Sequence, residues 1–515
     1  MGAQVSTGSH TVRVEPPLYR TPQWYAVYTQ SNCEKQVANY LRGSSAILTA
    51  IVTVMLAMAM SSLALGQQVV DAGSSSAQGV QTESGAEPSA QITTAQPSAG
   101  QPPASDPTAG KPRKLKCRHP ADPNKRRFGC KNEDYDWEET LGGDWAGARA
   151  EGKKLGISVT GSYYSVLQSN LTGKQHQMWG YVGQLTTAVD FDFDKLLKIP
   201  GMSLYFSDSW GTGSNLTADI GSVFPVNPNY AVGAYLGEIY LQRKFLHGNL
   251  TVAGGRIAAN YTFAGLPVFD NYVSFAIDPT PVSIVNNDLS YAGPPPGLQW
   301  GAQAVYIISP AVEVAAGVFN TNPNSANNGN ILAVQQGNKG ALVTAQLSYL
   351  FNQRPSEKGM QGQYTAGFFE DNNAFAVLPH GTFKRDGNAG VFVLGQQMVY
   401  RPDGPGTARG LTLWGAWEYS PKESVSSMPV FGGGGASYEG LIKARKQDIV
   451  SVGWIYGKTS TFIPLATSAQ LLEANYQWVP RRYLTIIPDF QYIVDPAGTN
   501  VANAAVFGVQ LNLTF

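Results

Sequence analysis

Three short stretches alternate hydrogen-bonding side chains with apolar ones. They place Glu238, Tyr240 and Gln242 in 236–242, Glu473 and Asn475 in 471–478, and Asp489 and Gln491 in 485–494. In an extended chain every second side chain projects to the same face. Such a face offers carboxylate and amide groups to a solute with many hydroxyls, and a tyrosine offers a flat apolar surface to its C–H groups. This is the chemistry of weak, reversible binding. The patterns of bond-making sites are missing: the sequence has no Gly-x-Ser-x-Gly elbow, no His-Glu-x-x-His and no phosphate-binding Gly-rich loop, and its five histidines are scattered. Each polar residue has a blander reading, as a solvated wall position with no special role.

The elements that would carry these residues are strands. The last segment, AVFGVQLNLTF, puts Phe507, Val509, Leu511, Leu513 and Phe515 on one parity and Gln510, Asn512 and Thr514 on the other. From about residue 156 the chain reads as a series of such runs, most near ten residues long. That length crosses a bilayer when the strand is tilted. Fifteen runs are evident, and one more hidden in 266–280 would make sixteen. Tight turns such as WVPRRY alternate with long ones such as NTNPNSANNGN and the glycine-rich FGGGGAS. Aromatics crowd strand ends at Tyr163, Tyr164, Trp300, Trp417, Tyr419, Trp454, Tyr456, Trp478 and Tyr483, as two interfacial girdles would.

Upstream, residues 46–65 are an uncharged apolar run after Arg42, and Ala64-Leu65-Gly66 supplies the small residues of a cleavage site. This reads as a secretory signal over 43–66, the alternative being a membrane anchor. Residues 67–110 lack large apolar side chains and read as a disordered linker. Residues 111–136 form a basic segment; 111–131 alone hold nine Lys or Arg against one Asp, suited either to an anionic cell-wall polymer or to a solvated tether. Cys117 and Cys130 could pair in an oxidising compartment or remain two thiols; with His119 they would leave a metal short of its fourth ligand. Charged residues are 14% of the chain and balanced at 36 basic to 36 acidic, so no global basic excess points to nucleic acid.

The reading that joins these observations is all-β: a transmembrane antiparallel β-barrel of about sixteen strands over 137–515, preceded by signal peptide and linker. Strands cross a membrane only when the sheet closes, because open edges leave backbone groups unpaired in hydrocarbon. The last strand then meets the first, acyl chains bathe the outer face, and the bore is hydrated.

Two resemblances follow. Residues 23–42, with Trp24-Tyr25-Ala26-Val27 and Glu34-Lys35-Gln36-Val37-Ala38, resemble the opening of NusG-type transcription factors. Twenty residues are too few to fold or act, so 1–42 reads as an atypical leader or gene-start artefact. Residues 137–515 resemble carbohydrate-selective porins of the OprB type. The likeness is carried by Gly143-Asp144-Trp145-Ala146-Gly147-Ala148-Arg149, by LGEIYLQRKFLHGNLTVAGGRIAANYTFAG, and above all by Pro488-Asp489-Phe490-Gln491-Tyr492 with Pro496-Ala497-Gly498. The resemblance implies a short helix before the first strand and passive diffusion of small sugars across the outer membrane of a Gram-negative-type bacterium. It implies neither enzyme activity nor a cofactor.

The terminal Phe515 resembles the signal that such proteins offer to the barrel-assembly machinery, and porins are often homotrimers. Family channels are narrowed by arginines, which draws attention to Arg256. Simple alternation sets Arg256 with Leu250 and Val252 on the lipid side unless a bulge at Gly254-Gly255 re-aims it. The competing readings are a general small-solute porin, a plugged structural or adhesive barrel, and an outer-membrane hydrolase.

Overall fold

A computed structural model describes residues 140–515, apart from 174–176, 215, 229–231, 288–297, 321–339, 354–356, 380–381, 385–386 and 406. The leader, signal, linker and basic segment, with Cys117 and Cys130, lie outside the described residues.

The strands are β1 (Ile157–Thr172), β2 (Trp179–Asp192), β3 (Met202–Gly213), β4 (Gly233–Phe245), β5 (Leu250–Ile257), β6 (Gln299–Ser309), β7 (Val312–Phe319), β8 (Leu342–Phe351) and β9 (Gly362–Asp371). After a small hairpin, β10 (Phe375–Val377) and β11 (Thr382–Lys384), come β12 (Asn388–Tyr400), β13 (Gly410–Tyr419), β14 (Val430–Glu439), β15 (Ile449–Lys458), β16 (Ser468–Arg481), β17 (Leu484–Val494) and β18 (Ala504–Thr514). All but the hairpin pair close into one barrel of sixteen strands, each beside its neighbour in the ring. The pairings are antiparallel, and β18 returns to β1 with Leu167 opposite Val509 and Tyr163 opposite Leu513. The terminal alternation therefore closes the ring. Phe507 and Val509 are exposed on its outside, as are Leu347, Val393 and Leu472 elsewhere on the belt. In hydrocarbon such a face needs no polar partner, and closure leaves no edge.

Two expectations change. Residues 266–280 are not a strand; the sixteenth strand is β14, whose Gly432–Gly435 conceal its alternation. Two of those glycines, Gly433 and Gly435, answer a packing need. A Cβ on Gly435 would meet Trp414 Nε1 at 2.6 Å and Tyr272 Oη at 2.7 Å, so the absent side chain makes room for two large aromatics inside the ring. Tyr164 leaves the girdle as well: it faces inward, donates to Gln510 Oε1 at 2.7 Å and packs on a buried cluster with Val166, Val182, Val273 and Ile487. Trp300, Trp417, Tyr419, Trp454 and Trp478 are exposed on the outside of the ring.

The barrel's buried apolar core lies within the ring, where a hydrated bore was expected throughout. Phe319, Phe369, Phe392, Phe431, Ile455 and Leu471 pack around Phe263, Phe269, Tyr272 and Ile277 of the long β5–β6 connection. These wall residues sit toward the ends of their strands on the long-loop side, which in such barrels is the outer side. Toward the short-turn side the inward positions turn polar, with Gln184, Thr186, Gln242, Ser348, Gln363 and Asn512.

Before β1, a short helix (Ala148–Leu155) follows a turn at Trp145–Gly147. Leu141 N–H donates to Thr514 O at 2.8 Å and Phe515 N–H to Gly161 O at 2.7 Å, so this segment lies across the seam.

Candidate functional site

A loop inside a barrel has lost its ladder partners, and each buried N–H and C=O must find another. Residues 258–287 find them in side chains of the wall. Glu238 Oε1 accepts from Ala258 N–H at 2.9 Å, Gln346 Oε1 from Ala264 N–H at 2.9 Å, and Gln396 Oε1 from Val268 N–H at 2.9 Å. Glu473 accepts twice, Oε1 from Val273 N–H at 2.7 Å and Oε2 from Ser274 N–H at 3.0 Å. In the other direction Gln346 Nε2 donates to Thr262 O at 3.0 Å and Asn475 Nδ2 to Asn271 O at 3.0 Å. Tyr272 Oη donates to Val452 O at 2.9 Å and accepts from Trp414 Nε1 at 2.7 Å.

The β3–β4 connection is held in the same way. Val226 O accepts from Gln491 Nε2 at 2.7 Å and from Gln168 Nε2 at 3.1 Å. Ser274 Oγ donates to Pro225 O at 2.7 Å, which ties the two loops together. Asp489 Oδ2 orients both amides, at 2.8 Å from Gln491 Nε2 and 3.3 Å from Gln168 Nε2. The result is a constriction suspended inside the ring by carboxylates and amides.

Of the residues picked from the sequence, Glu473, Asn475, Asp489 and Gln491 are buried under these loops and work as their fasteners. Tyr240 and Gln242 share the inward parity of β4 and are half-buried. Tyr240 stacks on Tyr205, centroids 5.1 Å apart and planes at 25°. Glu238 is 8% exposed and sits between the loop start and this stack. Arg256 does not join them. It pairs opposite Ile239 and Trp300 on the outward parity, with no register shift from β4 through β5 to β6, so the expected bulge does not form. Its surroundings leave it 3% exposed, with Nε lacking a hydrogen-bond partner.

Gln168, Gln346, Gln396, Tyr205, Asp190 and Trp414 also line the inside and were not picked. Parity was available for each: Gln346 in β8 and Gln396 in β12 oppose the apolar sets Val343–Leu347 and Val391–Val393. The loop carries carboxyl groups of its own. Burial, and the Asp270 and Glu473 carboxylates nearby, push the Asp278 carboxyl well above the usual carboxylate range. Asp270 is open to water within the ring yet crowded by protein, which lifts its carboxyl to about 6.

A closed sixteen-strand ring, narrowed from within by a loop tied to polar wall residues, is a diffusion channel in outline. The model of the carbohydrate-selective porins, OprB family, matches residues 176–515. The chain belongs to the OprB family. It is similar to Porin B of Pseudomonas aeruginosa, 23% identical over 419 residues that cover 72% of this chain and 90% of Porin B. Its fold is that of OprB from Pseudomonas putida. The high-pH structure of that protein superposes with a TM-score of 0.66 at 23% identity, covering 73% of this chain and 98% of the other. The low-pH structure gives a TM-score of 0.51 at 20% identity over the same shares. As an OprB-family porin the protein resides in the outer membrane, its strands crossing the bilayer; among the described residues no helix is long and apolar enough to do so.

Proposed function

We propose that loop 258–287 sets the width of the sugar path and that the inward wall of β2 to β4 reads the solute. The observation that carries this reading is the fastening of the loop by Glu238, Gln346, Gln396 and Glu473, four wall side chains spread around the ring. A narrowing held at so many points keeps its width, so solutes are sorted by fit. A sugar that exchanges water for wall hydroxyls, amides and carboxylates gains little net free energy, which lets it leave as readily as it enters. Tyr240 and Gln242 are the direct contacts; Glu473, Asn475, Asp489 and Gln491 act through the loops; Arg256 has no contact role.

Liposome swelling with mono- and disaccharides and with amino acids of equal size tests this. Sugars should enter faster than size-matched amino acids. Equal rates would reduce the protein to a general small-solute porin, and no swelling with any solute would make it a plugged, structural barrel. A channel makes no bonds, so a hydrolase screen of the purified protein should stay blank. The same reading surrounds the barrel with outer-membrane lipid and offers Phe515 to the barrel-assembly machinery. It also allows a homotrimer and brings 111–131 to an anionic cell-wall polymer; crosslinking in intact cells reads both.

A further inference from the structure

One row of the wall runs Ser158, Asp190, Tyr205, Tyr240 and Gly255 across β1 to β5, each residue opposite the next and all on the inward parity. The two stacked phenol rings in the middle of that row are half-buried, so they keep surface toward the interior. A carboxylate lies to each side. Asp190 neighbours Tyr205 in the row, and Glu238 is two residues from Tyr240 on the same strand. Both carboxylates are close enough to act electrostatically on both phenols.

Among the described residues neither carboxylate is in an ion pair. The ion pairs among the described residues join Lys154 to Glu151, Lys195 to Asp192, Arg409 to Asp403, Arg445 to Asp448 and Lys458 to Glu423, all in helices, turns or strand ends. Glu238 is nine-tenths buried, accepts from Ala258 N–H on Oε1, and has no hydrogen bond on Oε2 among the described residues. Asp190 feels Lys244 and Lys195 from the barrel rim, without an ion pair to either. An aromatic surface between two carboxylates that form no ion pair is complementary to a solute with a C–H face and a positive charge. An ammonium group satisfies a half-used buried carboxylate with charge-assisted hydrogen bonds and is drawn to ring faces.

We infer that the Tyr205–Tyr240 platform, with Glu238 and Asp190, is a subsite for sugars carrying an ammonium group, favouring cationic amino sugars over neutral hexoses and disfavouring sugar acids. The inference rests on the sugar-porin reading and deepens it. The unpaired negative charge raises the local concentration of cationic solute, and the remaining water around half-exposed Asp190 keeps the hold weak enough for transit.

The test uses the full chain in liposomes and follows efflux of radiolabelled 2-amino-2-deoxyhexose, neutral hexose, hexuronate and a neutral amino acid of similar size near pH 7. The amino sugar should leave about threefold or more ahead of the hexuronate, with the neutral hexose between them. In the double variant Glu238→Gln, Asp190→Asn the amino-sugar to hexose ratio should fall to about one; glutamine keeps an acceptor for Ala258 N–H. Equal efflux of amino sugar and hexuronate from the natural chain, or a ratio that survives in the double variant, would overturn the inference. Loss of the hexose advantage over the amino acid would instead overturn the sugar-porin reading. If the double variant yields no barrel, Asp190→Asn alone decides: an amino-sugar to hexose ratio below that of the natural chain supports the subsite, and an unchanged ratio removes it.

Discussion

Arg149 reaches across the seam of the barrel to the carbonyl oxygen of Phe515, the last residue of the chain, while the same nitrogen donates to Val159 O at 2.9 Å. Its other terminal nitrogen donates to Thr140 Oγ1 at 3.0 Å and Gly143 O at 3.3 Å, and its guanidinium lies 4.8 Å from the Trp145 ring centroid. One side chain thus joins the segment before β1, β1 itself and the end of β18, the three parts that must meet when the ring closes. Arg149→Ala should remove about 2–3 kcal/mol, the scale of hydrogen bonds from a charged donor. The midpoint of heat-induced unfolding on detergent gels should drop, while sugar flux per folded barrel stays the same. An unchanged midpoint would show that the seam holds through its backbone ladder alone.

Glu473 holds Val273 and Ser274 from 200 and 199 residues away in sequence. Removing the carboxylate leaves two buried N–H groups unpaired, at about 1–3 kcal/mol each. Glu473→Ala is therefore expected to free the middle of the loop, raising single-channel conductance and letting larger solutes pass in swelling assays. Glu473→Gln retains one acceptor and should fall between the two. Conductance in the alanine variant equal to that of the natural chain would mean that the loop's apolar side chains suffice to hold it.

The legible and illegible parts of the sequence divide along a physical line. β16 and β17 were plain because Leu472, Ala474, Tyr476 and Trp478 face lipid while Glu473, Asn475 and Gln477 face inward, and period two survives wherever two solvents differ. β14 hid because Gly433 and Gly435 are set by Ile455, Trp414 and Tyr272, which belong to other elements. The loop hid for a related reason: buried on several sides, Phe269, Tyr272, Phe275 and Ile277 carry the apolar content of a strand without its alternation. The polar wall residues were identifiable by type and parity. Their partners were not, since a carboxylate that binds a sugar and one that binds a loop backbone look alike until the fold brings residue 273 to residue 473.

The glycine recess gives a direct test of that argument. Gly435→Val would drive its branched side chain into Trp414 and Tyr272, and Gly453→Val would strike the Tyr272 ring, whose Cε1 lies 2.7 Å from a Cβ at that position. Overpacking of this kind costs about 1–3 kcal/mol. Because Tyr272 is bonded to Val452 and Trp414, the strain should pass into the loop and appear as noisier single-channel current. The matched change Gly415→Val faces only Gly433 O at 3.8 Å and should leave the current quiet.

Acidity should act on the loop through Asp270. Crowding by the surrounding protein lifts its carboxyl from 3.8 to about 6, and Asp278 is raised as well, first by burial and then by its acidic neighbours. A group raised in the folded state holds its proton where the unfolded chain has released it. Its stabilising contribution is therefore complete below the unfolded value and fades as pH rises through the folded one. Asp448 and Asp495 run the other way: burial raises them, but Arg445 and Tyr476 for the first, and Thr467 with the Thr499, Asn500 and Val501 N–H groups for the second, outweigh it and hold both below the usual range. Their contribution is lost only as pH falls through those low values. Between the two limits, acidification from about pH 7.5 to about pH 5 should tighten the loop and also remove the water-facing charge of Asp270. Amide exchange over 258–287 should slow, and the cation preference read from reversal potentials should decline. Asp270→Asn should abolish that decline; if its reversal potential still moves with pH as in the natural chain, another inward carboxylate is the one that titrates.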